Sequence, residues 1–211
     1  MKTFRLVGDG FPGEAIAACA AALRLPGGVI AIPTETVYGL ACRWDDAAAR
    51  ARIRRMKGRE PEKPFQMLVP DLASALAAGV VDTPALRALA ARLCPGPLTI
   101  VQAAGEGGTV GFRIPAHAPT LALLRELRNP LAATSANRSG EPAAATLGEA
   151  LADLAGEPDA AIDGGRIPGA PLASTVVDIA GPSWRILREG PVTAGRIREA
   201  LAGTLPEAPA R

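Results

Sequence analysis

Histidine occurs once in this 211-residue chain, at position 117, and tyrosine once, at position 38. With a single histidine there is no paired-histidine zinc centre, and no HExxH segment is present. No GxSxG turn has a histidine to serve it, and no GxxxxGK[ST] segment exists, so neither the usual serine-hydrolase arrangement nor a phosphate-binding P-loop is available. Cysteine is limited to Cys19, Cys42 and Cys94, which are odd in number, far apart and without CxxC spacing. Such a set suits a reducing cytosol and argues against a disulfide framework or a thiolate zinc site. Aromatic residues are only 3% of the chain, which counts against a surface that stacks on exposed bases. No apolar run approaches the roughly 18 residues that suggest a membrane span, and Met1-Lys-Thr-Phe-Arg-Leu6 has no long apolar segment. The expectation is a soluble, cytoplasmic protein. The net charge is +2, so any positive surface has to come from local clustering rather than from global balance.

What is present is a chain that is 48% hydrophobic, enough for one continuous core. The reading is a single domain over residues 1–202, followed by a Pro/Ala-rich tail at 203–211 that is expected to be disordered or frayed. Lysine is confined to positions 2, 57 and 63, and asparagine to 129 and 137. Residue types that the chain otherwise avoids are thus gathered in a few stretches.

The stretch around which the chain is organised is 28–69. Gly28-Val-Ile-Ala-Ile-Pro33 reads as a buried strand delivering the hydroxyl-rich Pro33-Thr-Glu-Thr-Val-Tyr-Gly-Leu40 at its carboxyl end, where open α/β sheets place their ligands. Asp46 to Met56 reads as a helix, with Arg50, Arg52, Arg54 and Arg55 on a solvated face. It runs into Lys57-Gly-Arg59 and Lys63-Pro64, and Gly58 allows the backbone to bend so that these cations close over the same crevice. Upstream, Gly8-Asp-Gly10-Phe-Pro-Gly13 is a literal GxGxxG between a short strand (Thr3 to Val7) and a helix (Gly13 to Leu25). The strand is barely apolar, contains Arg5, and Pro12 restricts Phe11, so an ordinary turn is preferred to a dinucleotide loop.

Further along, strands are expected at Phe65–Val69, Leu98–Gln102, Val110–Ile114, Pro130–Ala133, 161–165, Ser174–Ile179 and Trp184–Arg188. Helices are expected at Leu72–Ala78, Pro84–Leu93, Pro119–Leu127, Leu147–Leu154 and Thr193–Leu201. Alternating strands and helices, with a hairpin near Gly105, indicate an α/β fold with a twisted mixed sheet flanked by helices and carrying a positively charged crevice. Arg113 interrupts an apolar strand; it either points outward from a half-exposed sheet or faces the crevice to bind an anion. The Thr134-Ser-Ala-Asn-Arg-Ser-Gly140 segment either bonds its own backbone as a turn or forms a second wall of the site. His117, flanked at two residues' distance by Pro115 and Pro119, reads as a turn residue rather than a catalytic base. Cations and hydroxyls remain: Lys57, Arg59, Lys63, Arg113, Arg188, Thr34, Thr36, Thr109, Ser135, Asn137 and Ser174. Such a set suits holding a polyphosphate and a carboxylate, and stabilising charge at phosphorus by position and electrostatics.

Pro33-Thr-Glu-Thr-Val-Tyr-Gly-Leu40, Lys57-Gly-Arg59 with Lys63-Pro64, Pro95-Gly-Pro-Leu-Thr99, Gly111-Phe-Arg-Ile-Pro115, Ser135-Ala-Asn137 with Ser139-Gly140, Ser174-Thr-Val-Val-Asp178 and Ile186-Leu-Arg188 with Gly190 together resemble, in order, the YrdC/Sua5 family of L-threonylcarbamoyladenylate synthases. The resemblance runs from about Gly28 to Gly190 and matches the short, single-domain bacterial form. It implies a nucleotidyltransferase that makes threonylcarbamoyl-AMP and pyrophosphate from L-threonine, bicarbonate or CO2, and ATP, toward N6-threonylcarbamoyladenosine at tRNA position 37. It further implies Thr36, Arg59, Arg113 and Ser174 on threonine; Lys57, Lys63, Thr109, Ser135, Asn137 and Arg188 on ATP; and Lys57, Arg59, Ser135 and Asn137 as the catalytic core. Mg²⁺ is expected on the ATP phosphates rather than in a protein cage. The product would pass to a separate threonylcarbamoyl transferase complex, with weak tRNA binding allowed. Two other readings are an RNA-binding module using the basic surface without adenylate synthesis, and a domain similar to part of the hydrogenase-maturation proteins, whose zinc-finger and acylphosphatase parts are missing here.

Overall fold

The computed structural model describes residues 1–5, 13–105, 107–168 and 172–209. In chain order the elements are β1 (Lys2–Arg5), α1 (Gly13–Arg24), β2 (Ile30–Ile32), β3 (Gly39–Arg43), α2 (Ala47–Lys57), β4 (Gln66–Leu68), α3 (Leu72–Ala77), α4 (Pro84–Leu93), β5 (Leu98–Ala104), β6 (Gly108–Arg113), α5 (Ala118–Leu127), β7 (Leu131–Ser135), α6 (Leu147–Ala152), β8 (Ala160–Asp163), β9 (Thr175–Asp178), β10 (Arg185–Arg188) and α7 (Ala194–Leu201). The helices start where a short polar side chain can take up a free amide. Asp46 accepts from Ala49 N at 2.8 Å, Thr83 from Leu86 N at 3.2 Å, and Thr146 and Glu149 form a reciprocal capping box. α2 ends at Gly58, whose φ of 59° is the left-handed cap that glycine adopts without strain.

All ten strands join one sheet in the order β1-β8-β2-β3-β7-β4-β6-β5-β9-β10. Pairing is parallel for β1–β8, β2–β8, β4–β6 and β5–β9, and antiparallel for the other neighbours, so the sheet is mixed as expected. The apolar side chains form two cores. Leu23, Ile30, Leu40, Ile53, Leu124 and Leu131 belong to the first, and Leu86, Leu89, Ile100, Phe112, Val177 and Ile197 to the second. Trp44 and Leu121 pack against both.

Two expectations change. The hydroxyl-rich 33–38 segment does not lead straight to the helix from Asp46, because β3, which was not anticipated, follows at once and pairs antiparallel with β2, Ile32 opposite Gly39. The run Gly39-Leu-Ala-Cys42 is fully buried; its small residues gave no alternation by which to recognise a strand. The tail also makes backbone and ion-pair contacts as far as Ala208. Trp184 N donates to Pro206 O at 2.9 Å, Ala208 N donates to Trp184 O at 2.8 Å, and Arg198 pairs with Glu207 at 2.8 Å. The glycine-rich turn at 8–12 lies outside the described residues. No helix among the described residues is long and apolar enough to cross a membrane.

Candidate active site

Strand alternation builds the site. On β5, Leu98 and Ile100 point into the second core while Thr99 and Val101 line a cavity; on β6, Phe112 is in the core while Thr109, Gly111 and Arg113 line the same cavity. The cavity holds about 510 Å³, within the range of small-molecule sites. β10 reaches it through a register shift between Ile186 and Arg188, an irregularity of the kind that re-aims a side chain. Among the described residues the lining includes Arg59, Lys63, Arg113 and Arg188 and no Asp or Glu.

The turn between β2 and β3 is locked by Thr34. Its hydroxyl donates to Val37 O at 2.7 Å and accepts from Val37 N at 3.1 Å and Thr36 N at 3.2 Å. With the Thr34 hydrogen committed to Val37, the 2.9 Å contact between the two threonine hydroxyls requires Thr36 to donate. Thr36 Oγ1 then accepts from Arg113 Nη1 at 2.9 Å, which closes this hydroxyl pair. Arg113, 3% exposed, is fixed on its other sides by Gly96 O, which accepts from Nε at 3.2 Å, and by Glu35, whose Oε1 lies 2.6 Å from Nη2. Glu35 Oε1 also accepts from Ala116 N at 2.9 Å. Arg113 therefore faces the crevice rather than solvent, carrying a carboxylate behind it.

Arg188 donates through Nε and Nη2 to Ser174 O, at 3.0 and 2.8 Å, and through Nη2 to Ser174 Oγ at 3.2 Å. Burial, and then the positive charge of Arg113, disfavour its protonated form relative to a free arginine. Arg59 is affected the same way by burial and by Arg54; its Nη2 donates to Pro64 O at 2.9 Å and its guanidinium lies 5.8 Å from the Phe65 ring. Lys63 pairs with Glu60 at 3.0 Å at the rim.

Of the anticipated residues, Thr36, Arg59, Lys63, Thr109, Arg113, Ser135, Ser174 and Arg188 line the cavity; Lys57 and Asn137 do not. Lys57 was expected to meet phosphates. Its side chain is 1% exposed, and Nζ donates to Ser135 O and Asn137 O. The Lys57 carbonyl in turn accepts from Ser139 N at 3.0 Å. Lys57 thus ties the end of α2 to the loop after β7, and burial followed by repulsion from Arg59 lowers its pKa to about 8. Asn137 Nδ2 donates to Arg138 O and Glu141 O at 2.9 and 2.6 Å, so this asparagine shapes its own turn. His117 is half-buried, meets Thr120 Oγ1 at 2.9 Å, and has its pKa lowered mainly by burial. It does not line the cavity.

Sequence reasoning overlooked Glu35, Thr99 and Gln66. Glu35 sits inside a motif already singled out, Thr99 ends another, and Gln66 is a polar residue in the apolar run Phe65–Val69. The helix arginines are mostly structural. Arg52 pairs with Asp159 at 2.7 Å, Arg50 donates to Trp44 O at 2.7 Å, and Arg54 donates to Pro61 O at 3.2 Å and stacks over Phe65 at 4.8 Å. The free basic surface that an RNA-binding module would use is correspondingly reduced. Among the described residues no group of three or more His, Cys, Asp and Glu side chains could hold a metal ion.

Residues 23–190 match the Sua5/YciO/YrdC family, which carries the description telomere recombination. A Mus musculus protein named threonylcarbamoyl-AMP synthase is 38% identical over 192 residues, covering 84% of this chain and 67% of its own. The structure of P. abyssi Sua5 complexed with L-threonine superposes with a TM-score of 0.86 at 31% identity, over 99% of this chain. The chain spans 62% of that protein's length. E. coli YciO matches at TM-score 0.83 and 25% identity, over 93% of this chain and 100% of its own. The match over most of the chain, with the site motifs gathered around one cavity, makes the chain a member of the Sua5/YciO/YrdC family.

Proposed function

We propose that this cavity makes L-threonylcarbamoyl-AMP from L-threonine, bicarbonate or CO2, and ATP, releasing pyrophosphate. The observation that carries the reading is a cavity lined, among the described residues, by four cationic and no acidic side chains and floored by buried hydroxyls. Such a lining favours a triphosphate beside an amino-acid carboxylate, and both are substrates of this reaction. The threonine amine bonds to the carbon of bicarbonate or CO2 and gives a carbamate, with loss of water in the bicarbonate case. A carbamate oxygen attacks the α-phosphorus, and the bond to the bridging oxygen breaks as pyrophosphate leaves. No covalent enzyme nucleophile is needed, so the protein's part is positioning and charge stabilisation.

In this reading Thr36, Arg59, Arg113 and Ser174 hold threonine, and Lys63, Thr109, Ser135 and Arg188 face ATP. Lys57 and Asn137 act from behind by fixing the loop that carries Ser135. Since the described residues of the lining offer hydroxyls but no carboxylate, Mg²⁺ would ride on the ATP phosphates, where it supplies charge neutralisation. The mixed-anhydride product calls for hand-over to a separate transferase complex acting on tRNA, and weak tRNA binding fits that step.

Purified protein is expected to release pyrophosphate from ATP only when L-threonine and bicarbonate are both supplied, without RNA. Absence of the AMP ester, together with tight tRNA binding that weakens steeply with salt, would sink the reading.

A further inference from the structure

A row of polar groups crosses the cavity floor on three strands, β4, β5 and β10, and the loop entering β9. Gln66 Nε2 donates to Thr99 Oγ1, Thr99 Oγ1 lies 2.7 Å from Ser174 Oγ, and Arg188 Nη2 donates to Ser174 Oγ at 3.2 Å. Both hydroxyls are buried, Thr99 at 4% and Ser174 at 3% exposure, and both line the cavity. Hydrogen counting then constrains the row. An amide nitrogen and a guanidinium only donate, so each end of the hydroxyl pair receives a hydrogen from outside. The pair owns two hydrogens, and the bond between the two oxygens uses one. The other has no acceptor among the described residues. The amide oxygen of Gln66, likewise, has no hydrogen-bond donor among them, and Gln66 lines the cavity. The floor therefore presents one free O–H donor and one free carbonyl acceptor a side chain apart. The threonine pair at Thr34 and Thr36 is different, because both of its hydrogens are committed.

An adjacent donor and acceptor are the complement of an aliphatic alcohol, which accepts one hydrogen bond and donates another. A carboxylate or phosphate, which only accepts, would leave the Gln66 oxygen unmatched. We propose that Gln66 and Thr99, with Ser174, contact the side-chain hydroxyl of the amino-acid substrate and are the residues that select it over an apolar isostere. The assignment rests on the amino-acid reading of the cavity and adds to it the residues that reject isosteres. Valine has the shape of threonine with a methyl in place of the hydroxyl. In this floor it would strand two polar groups, the situation in which binding sites discriminate most sharply.

The test measures binding of L-threonine and L-valine to the whole chain by calorimetry, beside kcat/KM for pyrophosphate release with each amino acid. The wild-type protein is expected to prefer threonine by on the order of 100-fold or more. Gln66→Leu and Thr99→Val should each narrow that ratio at least tenfold by weakening threonine while leaving valine nearly unchanged. Thr99→Ser, which keeps the hydroxyl, should retain it. If Thr99→Val does not fold, Gln66→Leu, at a partly exposed position, decides alone. An unchanged ratio in Gln66→Leu, equal losses for both amino acids, or a wild-type protein blind to the hydroxyl overturns the proposal. Preferential threonine binding without pyrophosphate release would leave the hydroxyl recognition standing and remove the adenylate reaction; pyrophosphate release with threonine and valine alike would do the reverse.

Discussion

At Lys57 a cation is held where water scarcely reaches it, against two carbonyl oxygens. Burial drops its pKa from 10.5 to about 8, and this fixes a sign. Between those two values the unfolded chain binds more protons than the folded one, so this group makes stability rise as pH increases through about 8 to 10.5, and its penalty is full below 8. Lysine ¹³Cε signals, of which the chain has only three, should include one titrating near pH 8 that disappears in Lys57→Met. The urea midpoint of the wild type should gain on that of Lys57→Met across the same window, and a Lys57 signal still charged beyond pH 10 would refute the account. Lys57→Ala leaves the Ser135 and Asn137 carbonyls without their donor, for a cost of roughly 1–3 kcal/mol per buried group. Arg59→Ala should instead abolish pyrophosphate release with a thermal midpoint close to wild type, because Arg59 lines the cavity and makes one outward hydrogen bond, to Pro64 O. Comparable unfolding shifts in the two variants would show that the residues do not divide in this way.

Among the elements, β10 depends on the turn that follows it. A Cβ on Gly190 would lie 2.4 Å from Thr175 N, 2.5 Å from Ala173 O and 2.7 Å from the Ser174 carbonyl carbon. These are backbone atoms, which cannot swing aside. Gly190→Ala should therefore destabilise the chain by roughly 1–3 kcal/mol and, by displacing Ser174, weaken threonine binding more than ATP binding; equal loss of both, read by calorimetry, would count against it. Most elements were legible in the sequence, because α2, α4 and α7 carry their apolar stripe between an N-cap and a stop, and β5 and β6 alternate around a glycine turn. β3 was not legible, since Gly39-Leu-Ala-Cys42 is small and buried with nothing to mark its faces. The site was legible in residue type but not in direction. Arg113 and Arg188 could be selected as cations in apolar strands, whereas the inward turn of Lys57 depends on where the loop after β7 comes to lie, and no local pattern encodes that.

At the scale of the molecule, the sheet divides into two groups of strands with a core each, and the cavity spans the seam. β1, β8, β2, β3 and β7 form one group and β4, β6, β5, β9 and β10 the other, joined where β4 pairs with β7 over Gln66, Met67 and Leu68. Neither group is continuous in the chain, which crosses between them after β3, β6 and β8. The two halves should therefore not unfold apart. Trp44 packs against both cores and Trp184 within the second, so single-tryptophan variants are expected to give coincident denaturation curves. Curves that separate would show the seam to be a boundary between independent units.

The position of β8 between β1 and β2 bears on the order in which the protein can be made. The strand pairs with Lys2–Arg5 on one side and with Ile30 and Ala31 on the other. Its residues, Ala160 to Asp163, are synthesised about 130 positions after β2. At ribosomal rates of roughly 5–20 residues per second, β1 and one side of β2 must wait several seconds for the strand that fills the gap. During translation the apolar Ile30-Ala-Ile32 segment thus presents an open β-edge, and its protection at that stage falls to α1 and β3, the neighbours that emerge with it.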